Sequence, residues 1–86
     1  MTPLPWQPNP SSGYIAHPEG ERYPYRFATV APAITASRTP VWRWRVNWGP
    51  IQLSGDEVTL EAAFQSATDA WWEAVNEGTR LGDTFD

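Results

Sequence analysis

The sequence predicts an α+β domain in which a small antiparallel sheet of about three strands is covered on one face by a single C-terminal helix. One observation behind this prediction is the run VWRWRVNW at 41–48, which alternates apolar and polar side chains, as a strand with one buried face does. A second is the apolar spacing over residues 59–78, which changes to the period of an amphipathic helix. The predicted order is therefore β-β-β-α, preceded by a proline-rich arm.

Residues 1–21 form this arm. Its prolines are Pro3, Pro5, Pro8, Pro10 and Pro18. Because proline lacks an N–H and fixes φ, they exclude a helix and a central strand and favour an extended or polyproline II conformation. Two interpretations are open: the arm folds back and covers aromatic rings through residues such as Leu4 and Trp6, or it is a ligand for a proline-binding partner. We favour the first, because a small domain needs the additional cover.

The sheet is predicted within residues 22–78. In a first strand, 22–31, Tyr23, Tyr25 and Phe27 share one face, and Arg22 and Arg26 share the other. Pro24 lacks an N–H, which is typical of an edge or of a strand start. Residues 32–40 form the loop to the second strand.

The second strand, 41–48, directs Trp42, Trp44, Val46 and Trp48 to the core and leaves Arg43 and Arg45 on the other face. The pair Gly49-Pro50 ends it with a turn. Residues 51–53 are predicted to form a short third strand, and residues 54–57 a loop.

The helix is predicted from its N-cap at Thr59 to its C-terminal stop at Gly78. Its apolar stripe consists of Leu60, Ala63, Phe64, Ala67, Trp71, Ala74, Val75 and Gly78, which lie within less than half a turn around the helix axis. Small alanines allow a close approach to the sheet, and the rings fill the remaining space. The tail, 79–86, is acidic and is expected to be loose.

The composition limits the chain to one small domain with a core made largely of rings. Its 86 residues include six Trp, three Tyr and three Phe, and each ring buries roughly 150–250 Å². No Cys is present, which excludes disulfides, thiolate metal sites and a Cys nucleophile. Residues 1–12 do not resemble a signal peptide, and no segment approaches the roughly 20 apolar residues of a membrane span. We therefore expect a soluble, cytoplasmic protein.

No residue pattern indicates catalysis. His17, the one histidine, lies in the arm beside Pro18. No glycine-rich phosphate loop and no spacing of metal ligands is present. Helix carboxylates such as Asp69 and Glu73 lie on one convex surface, whereas two-acid hydrolysis needs carboxylates opposed across a cleft. We predict a non-enzymatic protein without a cofactor or a metal.

Charge is segregated along the chain, whose formal net charge is −4. The cations of the predicted sheet are Arg22, Arg26, Arg43 and Arg45, which form a candidate nucleic-acid-binding face. In the alternative interpretation these arginines lie over the sheet and pair with carboxylates. We favour the alternative, because the rings alternate away from the arginines and a stacking platform needs both on one face. A nucleic-acid binder is also usually basic.

The carboxylates of the helix form a second candidate surface. Glu61, Gln65, Asp69, Glu73 and Glu77 recur every four residues and therefore make one line. This line is either a solvated face or a docking edge for a basic partner. Trp72 lies about 100° from Trp71 around the helix, and it is either an interface residue or a ring covered by the arm. The candidate partner-binding residues are Glu61, Asp69, Trp72, Glu73 and Glu77.

The second half of the chain, from Trp42 to Val75, resembles small phage and prophage proteins. The residues that carry this resemblance are Trp42-Arg43-Trp44, Gly55, Thr59-Leu60-Glu61 and the Ala-rich run 62–72. Some proteins of this kind are anti-CRISPR or other anti-defence inhibitors. The resemblance implies a stoichiometric inhibitor of a host nucleic-acid-handling complex in the bacterial cytoplasm, and it brings no functional residues with it.

The sequence therefore leaves three functions open. The first is a protein-binding inhibitor that acts through the acidic helix face. The second is a nucleic-acid binder that uses the arginine face. The third is a structural protein that self-assembles by pairing exposed strand edges.

Overall fold

The computed structural model of this chain describes residues 3–18, 20 and 25–85, with side chains as far as Gly78. Within these residues the strands are β1 (Gln7–Pro8), β2 (Tyr14–Ala16), β3 (Arg26–Ile34), β4 (Pro40–Trp48) and β5 (Ile51–Glu57), and helix α1 (Leu60–Phe85) follows them. Each strand pairs antiparallel with its successor, so the sheet order is β1-β2-β3-β4-β5. The helix packs across one face, mainly over β4. The predicted α+β class, with an antiparallel sheet and one C-terminal helix, is confirmed.

The prediction of three strands is wrong, because the described residues form five. The two additional strands, β1 and β2, lie in the segment predicted to be an extended arm. Proline is tolerated in a strand where its missing N–H costs no ladder bond, and β1 is an edge strand in which Pro8 deprives no neighbour of a ladder hydrogen bond. Strand β2 contains no proline and pairs with β3 through Tyr14, Ile15 and Ala16.

Strand β5 is also longer than predicted, since residues 54–57 continue the strand instead of forming a loop. Gly55, which indicates a loop in the sequence, lies opposite Trp44 in the ladder. A Cβ at Gly55 would come within 2.7 Å of Cζ2 of Trp44. The glycine therefore provides the space in which the indole ring lies across the strand.

The predicted sidedness of β4 is confirmed. Val46 and Trp48 are 1% and 8% exposed, and Trp42 and Trp44 pack half-buried against the same core. Arg45, on the opposite face, is exposed. We call that opposite face, which points away from α1, the open face of the sheet.

The predicted sidedness of the preceding strand is wrong. Arg26 pairs with Trp48 and Phe27 with Asn47, so Arg26 lies on the helix side and Phe27 on the open face. The reason is the hairpin register, which turns Ala28 and Val30, both 0% exposed, towards the helix. The guanidinium of Arg26 lies 4.1 Å from the centre of the Trp48 ring, an arrangement that a cation and an aromatic ring favour.

Helix α1 begins as predicted and ends later than predicted. The hydroxyl of Thr59 accepts a hydrogen bond from the N–H of Ala62 at 3.1 Å, which confirms the N-cap. The predicted stripe is buried at Ala63, Ala67, Trp71, Ala74 and Gly78. Gly78 does not end the helix, which continues to Phe85 through residues expected to form a loose tail. A Cβ at Gly78 would overlap the Trp48 ring, so this glycine serves packing and not termination.

The interpretation in which the N-terminal arm folds back is confirmed. Leu4 is 6% exposed and belongs to the core. The ring of Trp6 packs on Phe64 of the helix, with 4.9 Å between the ring centres, and Tyr14 meets the same Phe64 edge-on at 5.2 Å. The arm thereby covers one flank of α1, and Thr68 on that flank is buried as well.

Candidate functional site

The carboxylates of α1 lie on its solvent side. Glu61, Gln65, Asp69, Glu73 and Glu77 form one line, which we call the acidic ridge; the first four are exposed and Glu77 is half-buried. Four helical residues rise about 6 Å and turn about 400°, which is about 40° more than one full turn. Each step of the ridge therefore advances about 40° around the helix, from the arm side at Glu61 towards the β5 side at Glu77. Glu61 borders a groove shared with Pro3 and Trp6 of the arm.

The other end of the ridge lies near β5. Ser66 donates a hydrogen bond of 2.9 Å to Glu57, the last residue of that strand. Residues seven apart lie on the same side of a helix, so Glu73 follows Ser66 along the flank that faces β5.

Three ridge carboxylates are not neutralised within the described part of the chain. Glu61, Asp69 and Glu73 meet no cationic side chain among those residues. Asp69 accepts a hydrogen bond of 3.0 Å from the side-chain amide of Gln65, which orients the carboxylate without changing its charge. The prediction that these residues share one accessible line therefore agrees with their placement.

Trp72 lies at the border between this ridge and the covered flank of the helix. Its neighbour Trp71 is 1% exposed, whereas Trp72 is half-buried and already engaged in a contact. Trp6 of the arm stacks on Phe64. Trp72 is therefore a partly accessible ring and not a fully solvent-facing one.

Of the four arginines of the candidate nucleic-acid face, the three that lie among the described residues do not share one face. Arg22 lies outside the described residues. Arg26 lies on the helix side of the sheet, over Trp48, and the prediction that it shares a face with Arg43 and Arg45 is wrong. Of the two that remain on the open face, Arg43 is held in an ion pair.

That ion pair joins neighbouring strands. Arg43 stands opposite Asp56 in the ladder, and its Nε and Nη2 donate to the two carboxylate oxygens at 2.8 and 3.2 Å. The hydrogen bonds, aided by the charge of the guanidinium, lower the pKa of Asp56, and the pKa of Arg43 is raised in turn. Such two-point pairing fixes the orientation of both side chains, so Arg43 is not free to contact a phosphate.

Phe27 is a surface residue that sequence reasoning missed. On the open face it stands opposite Asn47 and diagonal to Arg45, and these residues border a shallow groove with Gln52 and Ser54. The amide nitrogen of Asn47 donates to the carbonyl of Tyr25 at 3.1 Å, whereas its Oδ1 is buried without a partner among the described residues. Only the register of β3 against β4 could have shown that a ring and a cation share this face.

An apolar patch lies at the far end of the β3–β4 hairpin, beyond the start of the helix. Ile34 and Val58 are 70% and 80% exposed. They border an open groove with Pro32, Pro40 and Trp42. The patch exists because β3 and β4 extend past the region that α1 covers.

No family model, curated protein or solved structure matches this chain. Among the described residues, no helix combines the length and apolar character needed to cross a membrane. The same residues contain no group of three or more His, Cys, Asp or Glu side chains arranged to hold a metal ion.

Proposed function

We propose that this chain is a non-enzymatic protein-binding module that docks its acidic ridge, with Trp72 at the border, on a basic surface of a partner protein. The observation that carries the proposal is the exposure of Glu61, Asp69 and Glu73 without a cation beside them in the described part of the chain. Like charges four residues apart on a helix, such as Asp69 and Glu73, repel one another. A cationic surface relieves that repulsion and is steered towards the ridge during encounter.

The partner class follows from this complementarity. A surface that binds phosphates is rich in Lys and Arg. The acidic ridge, whose members rise about 6 Å at each step along the helix and which carries carboxylates at every position except Gln65, is suited to occupy such a surface. We extend the proposal to a stoichiometric inhibitor of a nucleic-acid-handling complex of a bacterial host. This extension rests on the resemblance of residues 42–75 to small phage proteins.

The test is capture of a partner from a bacterial lysate by the tagged chain, repeated with the triple variant Glu61→Gln, Asp69→Asn, Glu73→Gln. These substitutions keep side-chain size and helix propensity and remove three charges. We expect a captured protein to be lost or reduced at least tenfold with the triple variant. A single-stranded DNA oligonucleotide added to the lysate should displace it, since both ligands would occupy the same basic surface.

A matched control separates the ridge from net charge. The variant Gln7→Arg, Ser12→Arg, Ala36→Arg changes the net charge by the same three units at exposed positions and leaves the ridge intact. We expect it to retain the partner. Equal loss with both triple variants would mean that overall charge governs capture, and the ridge would then have no specific role.

A second candidate function, binding of single-stranded nucleic acid, is favoured by one observation: Phe27 and Arg45 share the open face. A ring and a cation on one exposed sheet face can stack a base and contact a phosphate. Against it stand the scattered arginines and the net charge of −4.

Titration with labelled single-stranded DNA and RNA decides between the candidates. If the second candidate is right, Arg45→Gln weakens binding and lowers its salt dependence, whereas the ridge triple variant does not weaken it. Binding that is equally strong for the Arg45→Gln protein would remove this candidate.

A further inference from the structure

The two edges of the sheet are protected very differently. The β1 edge has two residues, Gln7–Pro8, and further prolines on either side, which is how proteins prevent an edge from pairing. The β5 edge has seven residues, Ile51–Glu57, contains no proline and carries charges only at its end, on Asp56 and Glu57. A strand of this length with a free side is a template for another extended chain.

The alternation of hydrogen-bonded and non-bonded pairs in the sheet shows which backbone N–H and C=O groups of β5 point away from β4. The N–H of Thr35 donates to the carbonyl of Thr39, and that of Gly49 to the carbonyl of Tyr25. Both bonds continue the β3–β4 register, in which odd-numbered residues stand opposite one another. Because bonded and non-bonded pairs alternate in an antiparallel ladder, odd residues of β4 bond to β3 and even residues bond to β5.

It follows that the odd-numbered residues of β5 bond to β4, since they stand opposite its even residues. The backbone N–H and C=O groups of Gln52, Ser54 and Asp56 therefore point away from the sheet. Among the described residues, no strand lies beyond β5. Three donor and acceptor pairs, about 7 Å apart along the strand, are thus free for a partner strand.

On its helix side, the β5 edge is apolar next to the sheet and acidic farther out, on α1. Leu53 and the Trp44 ring over Gly55 form the apolar part. The flank of α1 that faces β5 carries Glu73, which is exposed and meets no described cation. A long cationic side chain fits both features, because its methylene stem packs on apolar surface while its charged end reaches the carboxylate.

We infer that the β5 edge is the docking site for an extended, cationic segment of the partner protein, which adds to the sheet as an antiparallel strand next to β5. The inference rests on the proposed function and states how the same partner is held. Main-chain bonds to Gln52, Ser54 and Asp56 supply affinity. Alternate Lys or Arg side chains that reach the Glu73 flank supply specificity.

A second copy of this chain is the other candidate occupant, and it fits less well. Antiparallel pairing of two β5 strands would bring together two acidic helix flanks and two chains of net charge −4. That repulsion is absent when the incoming strand is basic.

The test uses blocked nine-residue peptides that alternate lysine and threonine. In an antiparallel strand next to β5, the residues opposite Gln52, Ser54 and Asp56 make the main-chain bonds, and their side chains lie on the open face. When the lysines face the helix, the threonines occupy these positions, so the threonine N–H groups point at β5. We expect N-methylation of the threonines to weaken binding at least tenfold and N-methylation of the lysines to leave it within about threefold. A peptide that alternates glutamate and threonine should not bind.

Amide hydrogen exchange locates the contact. Saturation with the lysine–threonine peptide should slow exchange at Gln52, Ser54 and Asp56 at least tenfold, and Glu73→Gln should weaken binding severalfold. Failure of the peptide to bind, equal effects of the two methylation patterns, or protection confined to α1 would overturn the inference. Protection of the three amides in the free chain, together with a dimer in light scattering, would overturn it in favour of a second copy.

The variant Ser54→Pro, which removes the central free N–H and leaves the β4 ladder intact, separates docking at the β5 edge from docking at the acidic ridge. Its circular dichroism and thermal unfolding serve as a check on the fold. If the lysate partner is lost with the ridge variant and retained with a folded Ser54→Pro protein, the proposed function stands and the edge is not its docking site. If the ridge variant retains the partner, the proposed function itself fails.

Discussion

At two positions of this chain glycine is required by the space that a tryptophan ring occupies, and not by the backbone conformation. Gly55 lies beneath Trp44, and Gly78 lies against Trp48. In both positions the missing side chain provides the volume that an indole ring occupies. Each glycine is thus part of the core packing, although one lies in an edge strand and the other in a helix.

The substitution Gly78→Ala should destabilise the protein. In an exposed helix interior this change stabilises by about 1 kcal/mol, but here the added methyl group overlaps the Trp48 ring, and overpacking costs about 1–3 kcal/mol. We expect a net loss of about 1 kcal/mol in urea unfolding followed by tryptophan fluorescence. The control Asn76→Ala, at an exposed helix position, should be neutral or slightly stabilising. A Gly78→Ala protein more stable than the native chain would contradict the packing described here.

The Arg43–Asp56 pair gives a pH-dependent contribution with a definite sign. The hydrogen bonds and charge of Arg43 lower the folded-state pKa of Asp56 below its ordinary value of 3.8. The stabilisation is therefore fully present above that ordinary value, and it is lost as pH falls through the lower folded-state pKa. Carboxyl NMR titration should show the pKa of Asp56 rising towards 3.8 in Arg43→Gln. The neighbouring change Arg45→Gln should have a much smaller effect; an equal effect would mean that the general field of the arginines, and not the paired contact, sets the pKa.

At the scale of elements, two patterns determine what could be predicted from the sequence. The alternation in β4 and the stripe of α1 report burial directly, because each has its own period, and the exposed ridge follows from the same helical period. The face of β3 depends on the register of its hairpin with β4, which no local pattern contains, so the sequence alone places Arg26 and Phe27 on the wrong sides. The two-residue strand β1 exists only through its pairing with β2.

The Gly55 position illustrates the same limit. Glycine most often indicates a loop or a bulge, and only the presence of Trp44 across the ladder shows why it belongs in a strand. The same wrong loop prediction hides the β5 edge, since Ser54 and Asp56 lie in the residues predicted to be a loop. The extent of the β5 edge is therefore visible only from the contact between β4 and β5.

The start of α1 depends on one hydroxyl group. Thr59 caps the helix through its bond to the N–H of Ala62. We expect Thr59→Ala to lower the free energy of unfolding by about 1 kcal/mol and Thr59→Ser to preserve it, because serine supplies the same acceptor. Urea unfolding measures both, and equal stability of the three proteins would show that the cap contributes nothing.

The whole molecule is elongated, with extents of 43 × 24 × 22 Å, and its apolar patch lies at the hairpin end. Because Ile34 and Val58 are mostly exposed, the double variant Ile34→Thr, Val58→Thr should change the free energy of unfolding by no more than about 0.5 kcal/mol. It should also reduce concentration-dependent light scattering relative to the native chain. A large loss of stability would show that the patch packs against part of the chain in solution.

The position of α1 after all five strands has a consequence for biosynthesis. During translation the strands leave the ribosome first, and the face that carries Trp42 and Trp48 remains without its cover until the helix has been made. A nascent chain that ends at Val58 would thus expose a hydrophobic aromatic surface of the kind that aggregates or recruits chaperones. Completion of the native core must therefore wait for α1 to emerge.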